Sequence, residues 1–230
     1  MRVYAISDLH LSFSTDKPMD VFGDEWVNHH IKIKESAEGI TGDDVLVIAG
    51  DISWALKIEN IKADFDYVKS LPGKKIIIRG NHDYWWQSVT KVRDICDENI
   101  FALQNDAVKI GNYIFFGSRG WTVSDEHNST KEDLKIYKRE IERMKLAIAS
   151  AKKLETDGDV LIGVTHYPPF NVNFDSSEMT KLFSDADIKT VIYGHLHGKD
   201  SKTKSVVLID GVEYHLTSCD FLNFQIKEMI

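Results

Sequence analysis

Seven side chains able to ligate a metal recur along this sequence of 230 residues, and each lies just past a short apolar run. Asp8 and His10 follow Val3-Tyr4-Ala5-Ile6, Asp51 follows Val45-Leu46-Val47-Ile48-Ala49-Gly50, and Asn81 follows Ile76-Ile77-Ile78. His166 follows Val160-Leu161-Ile162-Gly163-Val164, and His195 and His197 follow Val191-Ile192-Tyr193. Asp8 and His10 stand at i and i+2, as do His195 and His197, so in an extended segment each pair projects to one side and can grip one ion. Carboxylate, imidazole and amide oxygen form a mixed environment that suits zinc, manganese or iron better than calcium or magnesium alone. Seven ligands exceed one tetrahedral ion and suit two ions sharing a carboxylate. Two such cations, roughly 3.5–4 Å apart, lower the pKa of a bridging water and clamp both oxygens of an in-line displacement at phosphorus.

The elements that must hold these groups are legible from patterning. The apolar runs are uninterrupted rather than alternating, as in strands covered on both faces. Open α/β sheets bind ligands beyond the carboxyl ends of their strands, which places all five segments at one sheet edge. The glycines before Asp51, Asn81 and His195 fit sharp turns there. Three amphipathic helices lie between the strands: one marked by Trp26, Ile33, Ala37 and Ile40, and one by Ile58, Ile61, Phe65, Val68 and Leu71, ending at Pro72-Gly73. The longest carries Leu134, Tyr137, Ile141, Met144, Ile148 and Ala151, with Ser129 and Glu132 as its capping box. Gly111-Asn112 and Asp210-Gly211 each separate two apolar runs and predict hairpins, the second of type I′. No repeat or linker divides the chain, so one domain over 1–230 is expected.

Composition bounds the class. With 43% hydrophobic and 28% charged residues, disordered and low-complexity classes are excluded. A net charge of −8 disfavours a nucleic-acid or lipid-surface protein, and a nuclease in particular. The two cysteines, Cys96 and Cys219, are unpatterned and read as buried hydrophobes in a reducing compartment. With neither a leader pattern nor a membrane-length apolar run, a cytoplasmic protein is expected.

The ordered set D-x-H, G-D, G-N-H-D, a lone His before Pro, and G-H-x-H resembles the calcineurin-like metallophosphoesterases, from residue 8 to residue 197. The resemblance implies a four-layer α/β/β/α sandwich with two mixed β-sheets. It also implies two transition-metal ions (Mn, Zn or Fe), one held by Asp8, His10, Asp51 and His197. The other would be held by Asp51, Asn81, His166 and His195, with Asp51 shared. His82 would protonate the leaving group, oriented by Asp83, while a metal-bridging hydroxide attacks phosphorus. Trp54 stands where purple acid phosphatases carry a ligating tyrosine, which argues against a ferric–tyrosinate centre. Trp54-Ala55-Leu56 and Asp83 depart from the Ser/Thr protein phosphatases. The implied activity is hydrolysis of a small phosphate ester, a diester ahead of a monoester. The alternative is a scaffold that binds metal without turnover, as in the retromer relative, against which every motif position here is filled.

Substrate contacts are sparser. Trp54, Trp85, Trp86 and Trp121 follow motifs or turns and form either a platform for a planar group or packing under loops. Arg119 could clamp a non-bridging phosphate oxygen or pair with a surface carboxylate. Lys199, Lys202 and Lys204 read as a solvated positive turn. His30 reads as half-buried on the first helix, and His29, His127 and His215 as surface or strand residues.

Overall fold

The computed structural model describes residues 1–124, 129–198 and 204–230. Strands β1 (Val3–Ile6), β2 (Val45–Ile48), β3 (Lys74–Ile77) and β4 (Ile100–Ala102) run parallel, and β11 (Lys227–Glu228) pairs antiparallel with β1 in the order β11-β1-β2-β3-β4. A second sheet joins β5 (Asp106–Ile110), β6 (Tyr113–Gly117), β7 (Val160–Val164), β8 (Thr190–Tyr193), β9 (Val206–Ile209) and β10 (Val212–Leu216) in the order β5-β6-β7-β8-β10-β9. Its inner pairings are parallel, and its two outer pairs are the expected hairpins. Asp210 and Gly211 both have positive φ, as a type I′ turn requires.

Alternation along the strands builds the layers. Val3 and Ala5 of β1, Val45 and Val47 of β2 and Ile76 of β3 point one way and meet Phe115, Ile162, Val164 and Ile192 of the second sheet. Their neighbours Tyr4, Ile6, Leu46, Ile48 and Ile77 point the other way. There they meet Ile33 of α1 (His29–Ser36), Phe65 and Val68 of α2 (Lys62–Ser70) and Val92 of α3 (Val89–Ile95). On the far side, Ile114, Phe116, Leu161 and Val191 pack on Tyr137, Ile141 and Met144 of α4 (Lys131–Leu154) and on Met179 and Phe183 of α5 (Glu178–Asp185). The result is helix, sheet, sheet, helix, with the central strands buried on both faces and the β9–β10 edge exposing Val206, Leu208 and Glu213 on one. Among the described residues no helix is long and apolar enough to cross a membrane.

Local departures have local causes. The capping box of α4 is Thr130 with Asp133, one residue beyond Ser129 and Glu132. The Thr130 hydroxyl accepts from Asp133 N at 3.1 Å, and the Asp133 carboxylate accepts from Thr130 N at 3.3 Å. Trp26 and Ile58 lie on 3₁₀ turns ahead of α1 and α2 rather than within them. Helices α3 and α5 were not expected: each is short, and each starts on a serine, Ser88 or Ser177, whose hydroxyl accepts a backbone N–H.

Asp44, buried just before β2, ties the start of the chain to this layer. It accepts from Arg2 N at 2.7 Å, Thr41 N at 2.9 Å and the Thr41 hydroxyl at 2.8 Å. The N–H groups of Arg2 and Thr41 hold its carboxyl below the usual range, against the effect of burial. A depressed carboxyl stabilises the fold above its unfolded pKa, about 3.9, and loses that contribution as pH falls toward the folded value. Asp44→Asn is therefore expected to cost about 1–2 kcal/mol in urea denaturation at about pH 7. The gap to wild type should narrow below about pH 4; a gap independent of pH would contradict the account.

Candidate metal centre

The seven ligand-type residues come together, but from two sheets rather than one edge. Asp8, His10, Asp51 and Asn81 leave β1, β2 and β3 of the first sheet, and His166, His195 and His197 leave β7 and β8 of the second. Four of them hold left-handed backbone that non-glycine residues rarely adopt: Asp8 (φ 58°), His10 (45°), Asp51 (51°) and His195 (73°). Each such residue costs of order 1–3 kcal/mol and persists only where its surroundings over-determine it. They do so here. Asp8 N donates to Gly50 O at 2.9 Å and His10 N to Asp51 O at 3.0 Å, binding the first two loops together. The Asp8 carboxylate accepts from the Ser7 and Ser218 hydroxyls at 2.5 and 2.9 Å and from His195 N at 3.0 Å. Of the glycines that precede ligand positions, Gly50 alone has positive φ. Gly80 and Gly194 serve close approach instead, since a Cβ would overlap the Asp51 carboxylate at the first and the Asp8 carboxylate and Ser7 at the second.

The ligand atoms converge in two linked groups. Nε2 of His10 lies 3.3 Å from Nε2 of His197, which is 3.6 Å from Asp8 Oδ1. Asn81 Oδ1 lies 2.7 Å from His166 Nε2 and 2.8 Å from His195 Nδ1. Asp51 joins them, with Oδ2 3.8 Å from His10 Nε2 and 3.5 Å from His166 Nε2. Its Oδ1 accepts from His82 N, whereas Oδ2, on a residue only 1% exposed, has no hydrogen-bond partner among the described residues. An orphaned buried carboxylate oxygen between imidazole nitrogens is what a metal pair would resolve, so the residues fit two cations. Asp8, His10 and His197 offer ligand atoms within 4.8 Å of one another, as do Asp8, Asp51 and His166, so Asp8 also reaches toward the second group.

Electrostatics prepare the site. Burial pushes His10 down to about 3, outweighing Asp51, and His195 down to about 4, helped by His166. Both are neutral and free to ligate. Burial opposes the charge on His166 as well, but the Asp51 carboxylate beside it wins and raises it to about 9. Asp51 stays ionised despite its burial because His166 and His10 lower it.

The family model for calcineurin-like phosphoesterases matches residues 1–199. The chain belongs to this family. It is a metal-dependent phosphoesterase, in a family whose members use two metal ions. None of the curated proteins matches it. Solved structures of similar fold include the following two. One is a phosphopantetheinyl hydrolase from Mycobacterium tuberculosis, at 17% identity and TM-score 0.58, covering 100% of this chain and 95% of that chain. The other is a protein of unknown function from Aquifex aeolicus, at 15% identity and TM-score 0.52, covering 99% and 95%.

Around the centre, the phosphoesterase departs from several expectations. Asp83 does not orient His82. Its fully buried carboxylate accepts from the backbone N–H of Ile52, Ser53 and Gly80 and from Trp85 Nε1, at 2.8–3.1 Å, while His82 Nδ1 is buried without a partner among the described residues. Asp83 thus fastens the loops after β2 and β3 to each other. Trp85 and Trp86 lie wholly inside the helix-side core, so neither offers a platform. Trp54, 8% exposed, stacks on His10 with ring centroids 4.8 Å apart and lies 4.5 Å from His82. Trp121 is half-buried against Tyr167, whose ring is 4.2 Å from that of His195. The Arg119 guanidinium lies over Trp121, and its carbonyl accepts from His166 N. His30 is half-buried on α1 as expected, but His29, expected at the surface or on a strand, is buried there, with its ring nitrogens 3.0 and 2.9 Å from the carbonyls of Trp26 and Leu9. Cys219 is buried behind Asp8, its thiol 3.0 Å from the Asp8 carbonyl, and Cys96 is half-buried. His127, Lys199 and Lys202 lie outside the described residues; Lys204 sits over Phe174.

Three supporting residues escaped sequence reasoning, Ser7, Ser218 and Asp220, and Cys219 was read only as the buried side chain it is. Asp220 Oδ1 is 3.1 Å from His197 Nδ1, and Oδ2 accepts from Gly198 N at 2.7 Å, fixing the direction of His197. The signal that was missed is the parallel pairing of the expected hairpin strand β10 with β8, which delivers Thr217-Ser218-Cys219-Asp220 to the same place. Because Asp83 serves four donors, Asp83→Ala is expected to destabilise the fold by at least about 3 kcal/mol or to prevent folding, as read by urea denaturation. A stable variant with only catalysis impaired would return Asp83 to the role of orienting His82.

Proposed function

We propose that the chain, as one domain over 1–230, hydrolyses small phosphate esters at a dinuclear centre. Asp8, His10, Asp51 and His197 hold one cation and Asp51, Asn81, His166 and His195 the other. The reading rests above all on Asp51 Oδ2, buried without a hydrogen bond and set between the imidazoles of His10 and His166. When bound, such a pair supplies Lewis acidity at the phosphoryl oxygens and a water of lowered pKa; manganese, zinc and iron all suit the mixed donor set.

The chain's own residues do the rest. Neutral His10 and His195 offer lone pairs without first losing a proton. Asp220 and the Asp8 hydroxyl partners hold the ligands in place, so little reorganisation accompanies binding. His82 hands its proton to the departing oxygen; its backbone N–H is tied to Asp51, and its ring lies between Trp54 at 4.5 Å and Tyr84 at 6.2 Å. Tyr84, 53% exposed, gives an organic substituent an apolar surface beside His82. Arg119, half-buried on the His195 side beside Tyr167, clamps a non-bridging oxygen. A diester, with less charge to neutralise than a monoester, is the preferred substrate.

Asp51→Asn should bind fewer than two metal ions per chain by mass spectrometry of the reconstituted protein and lose hydrolysis of bis(nitrophenyl) phosphate; unchanged metal content would remove Asp51 from the shared position. His82→Ala should slow alkyl diesters by about 10²–10⁴-fold. Nitrophenyl diesters should suffer far less, because nitrophenolate leaves without a proton. Equal losses on both would refute the proton-donor role.

A further inference from the structure

A lysine the sequence did not single out lies over Trp54, the indole next to His82. The segment after β1 is anchored at both ends. Leu11 pairs with Ser53, Phe13 N donates to Asp64 Oδ1 at 2.8 Å, and buried Met19 takes Trp54 Nε1 on its sulfur at 3.1 Å. Between these anchors the chain carries Lys17 onto Trp54, with Nζ 3.1 Å from the ring centroid. The same indole stacks on His10 and lies 4.5 Å from His82. The ammonium is therefore one indole away from both imidazoles. It is exposed, and among the described residues no carboxylate lies within ion-pairing distance of it. Lys62, Lys152 and Lys189, by contrast, each pair with a nearby carboxylate. A tethered, unpaired cation at the rim of a site for phosphate esters is placed to meet an anion.

We propose that Lys17 is a specificity-determining residue that receives an anionic group, a phosphate or a carboxylate, carried by the leaving-group half of the substrate. The inference rests on the assignment of His82 to the leaving group made above, because Lys17 shares Trp54 with His82. Trp54 is then not a platform for a base. It is a spacer that fixes the distance between the proton donor and the cation. The preferred substrate is accordingly a phosphodiester whose departing alcohol bears its own negative charge.

The test uses the metal-reconstituted protein and three methyl phosphodiesters whose other alcohol is ethanol, hydroxypropionate or glycol monophosphate, with cleavage followed by phosphorus NMR. Wild type should favour the charged alcohols over ethanol in kcat/KM. Lys17→Ala should shrink that ratio roughly five- to tenfold, mostly through KM. Lys17→Arg should restore most of it, and added salt should erode it in wild type. Gains for both charged alcohols would mean that charge alone is read, and a gain for glycol monophosphate alone would assign a phosphate. A wild-type ratio that Lys17→Ala leaves unchanged overturns this inference while leaving the hydrolase intact. Absence of turnover on all three diesters overturns the hydrolase reading, and this one with it.

Discussion

A carboxylate taken out of water must find partners, because an isolated buried charge costs far more than any single contact returns. Asp51 meets this constraint only halfway. One oxygen accepts from His82 N; the other faces two imidazoles and takes no hydrogen bond. Most of the local architecture follows from holding that carboxylate in place. Gly80 must lack a side chain to let it pass, Asp51 must take left-handed backbone to aim it, and Asp83 must lock the loops on either side. The same carboxylate raises the pKa of His166 beside it, against the effect of burial.

The two-sheet arrangement explains why the ligands can be so tightly fixed. A single sheet would present its strand ends along a line. Two sheets packed through Val3, Val47, Phe115 and Ile192 bring the ends of β1 and β2 opposite those of β7 and β8, so that Asp8 and Asp51 face His166, His195 and His197 across the seam. The dry packing between the sheets is what sets the ligand distances. Side-chain truncation there would loosen the site without touching it, because close-packed interiors transmit strain.

What could be read in advance follows from how local the signal is. The uninterrupted apolar runs marked strands covered on both faces, and the metal-ligand types after them marked the site, because both patterns lie within a few residues of one another in sequence. The hairpin at Asp210-Gly211 was legible for the same reason, as turn chemistry is local. Asp83 was misread because its position within G-N-H-D suggests His82 as its partner. Gly80 and Trp85 are near neighbours among its four donors, but Ile52 and Ser53 come from a loop some thirty residues earlier, at separations of 31 and 30. The tryptophans show the same limit: whether Trp85 faces solvent or Phe65 depends on helix packing that no local pattern encodes. The capping box lies one residue further on because Ser129-Thr130 and Glu132-Asp133 offer two registers of the same chemistry.

The family match ends at residue 199, yet the first ligand group is held in place by residues beyond it. Ser218 donates to the Asp8 carboxylate, the Cys219 thiol meets the Asp8 carbonyl, and Asp220 sets the direction of the His197 ring. These contacts exist because β10 lies parallel to β8 and ends level with it, with Leu216 opposite Tyr193. Ligands that must be held to within a fraction of an ångström need hydrogen-bonding partners of their own. A left-handed Asp8 pinned by only its neighbours in β1 would relax toward ordinary extended backbone, drawing its carboxylate away from His197. The last hairpin is thus part of the centre in a physical sense: it contributes no ligand, and it holds the strained backbone of Asp8 in the conformation that ligation requires.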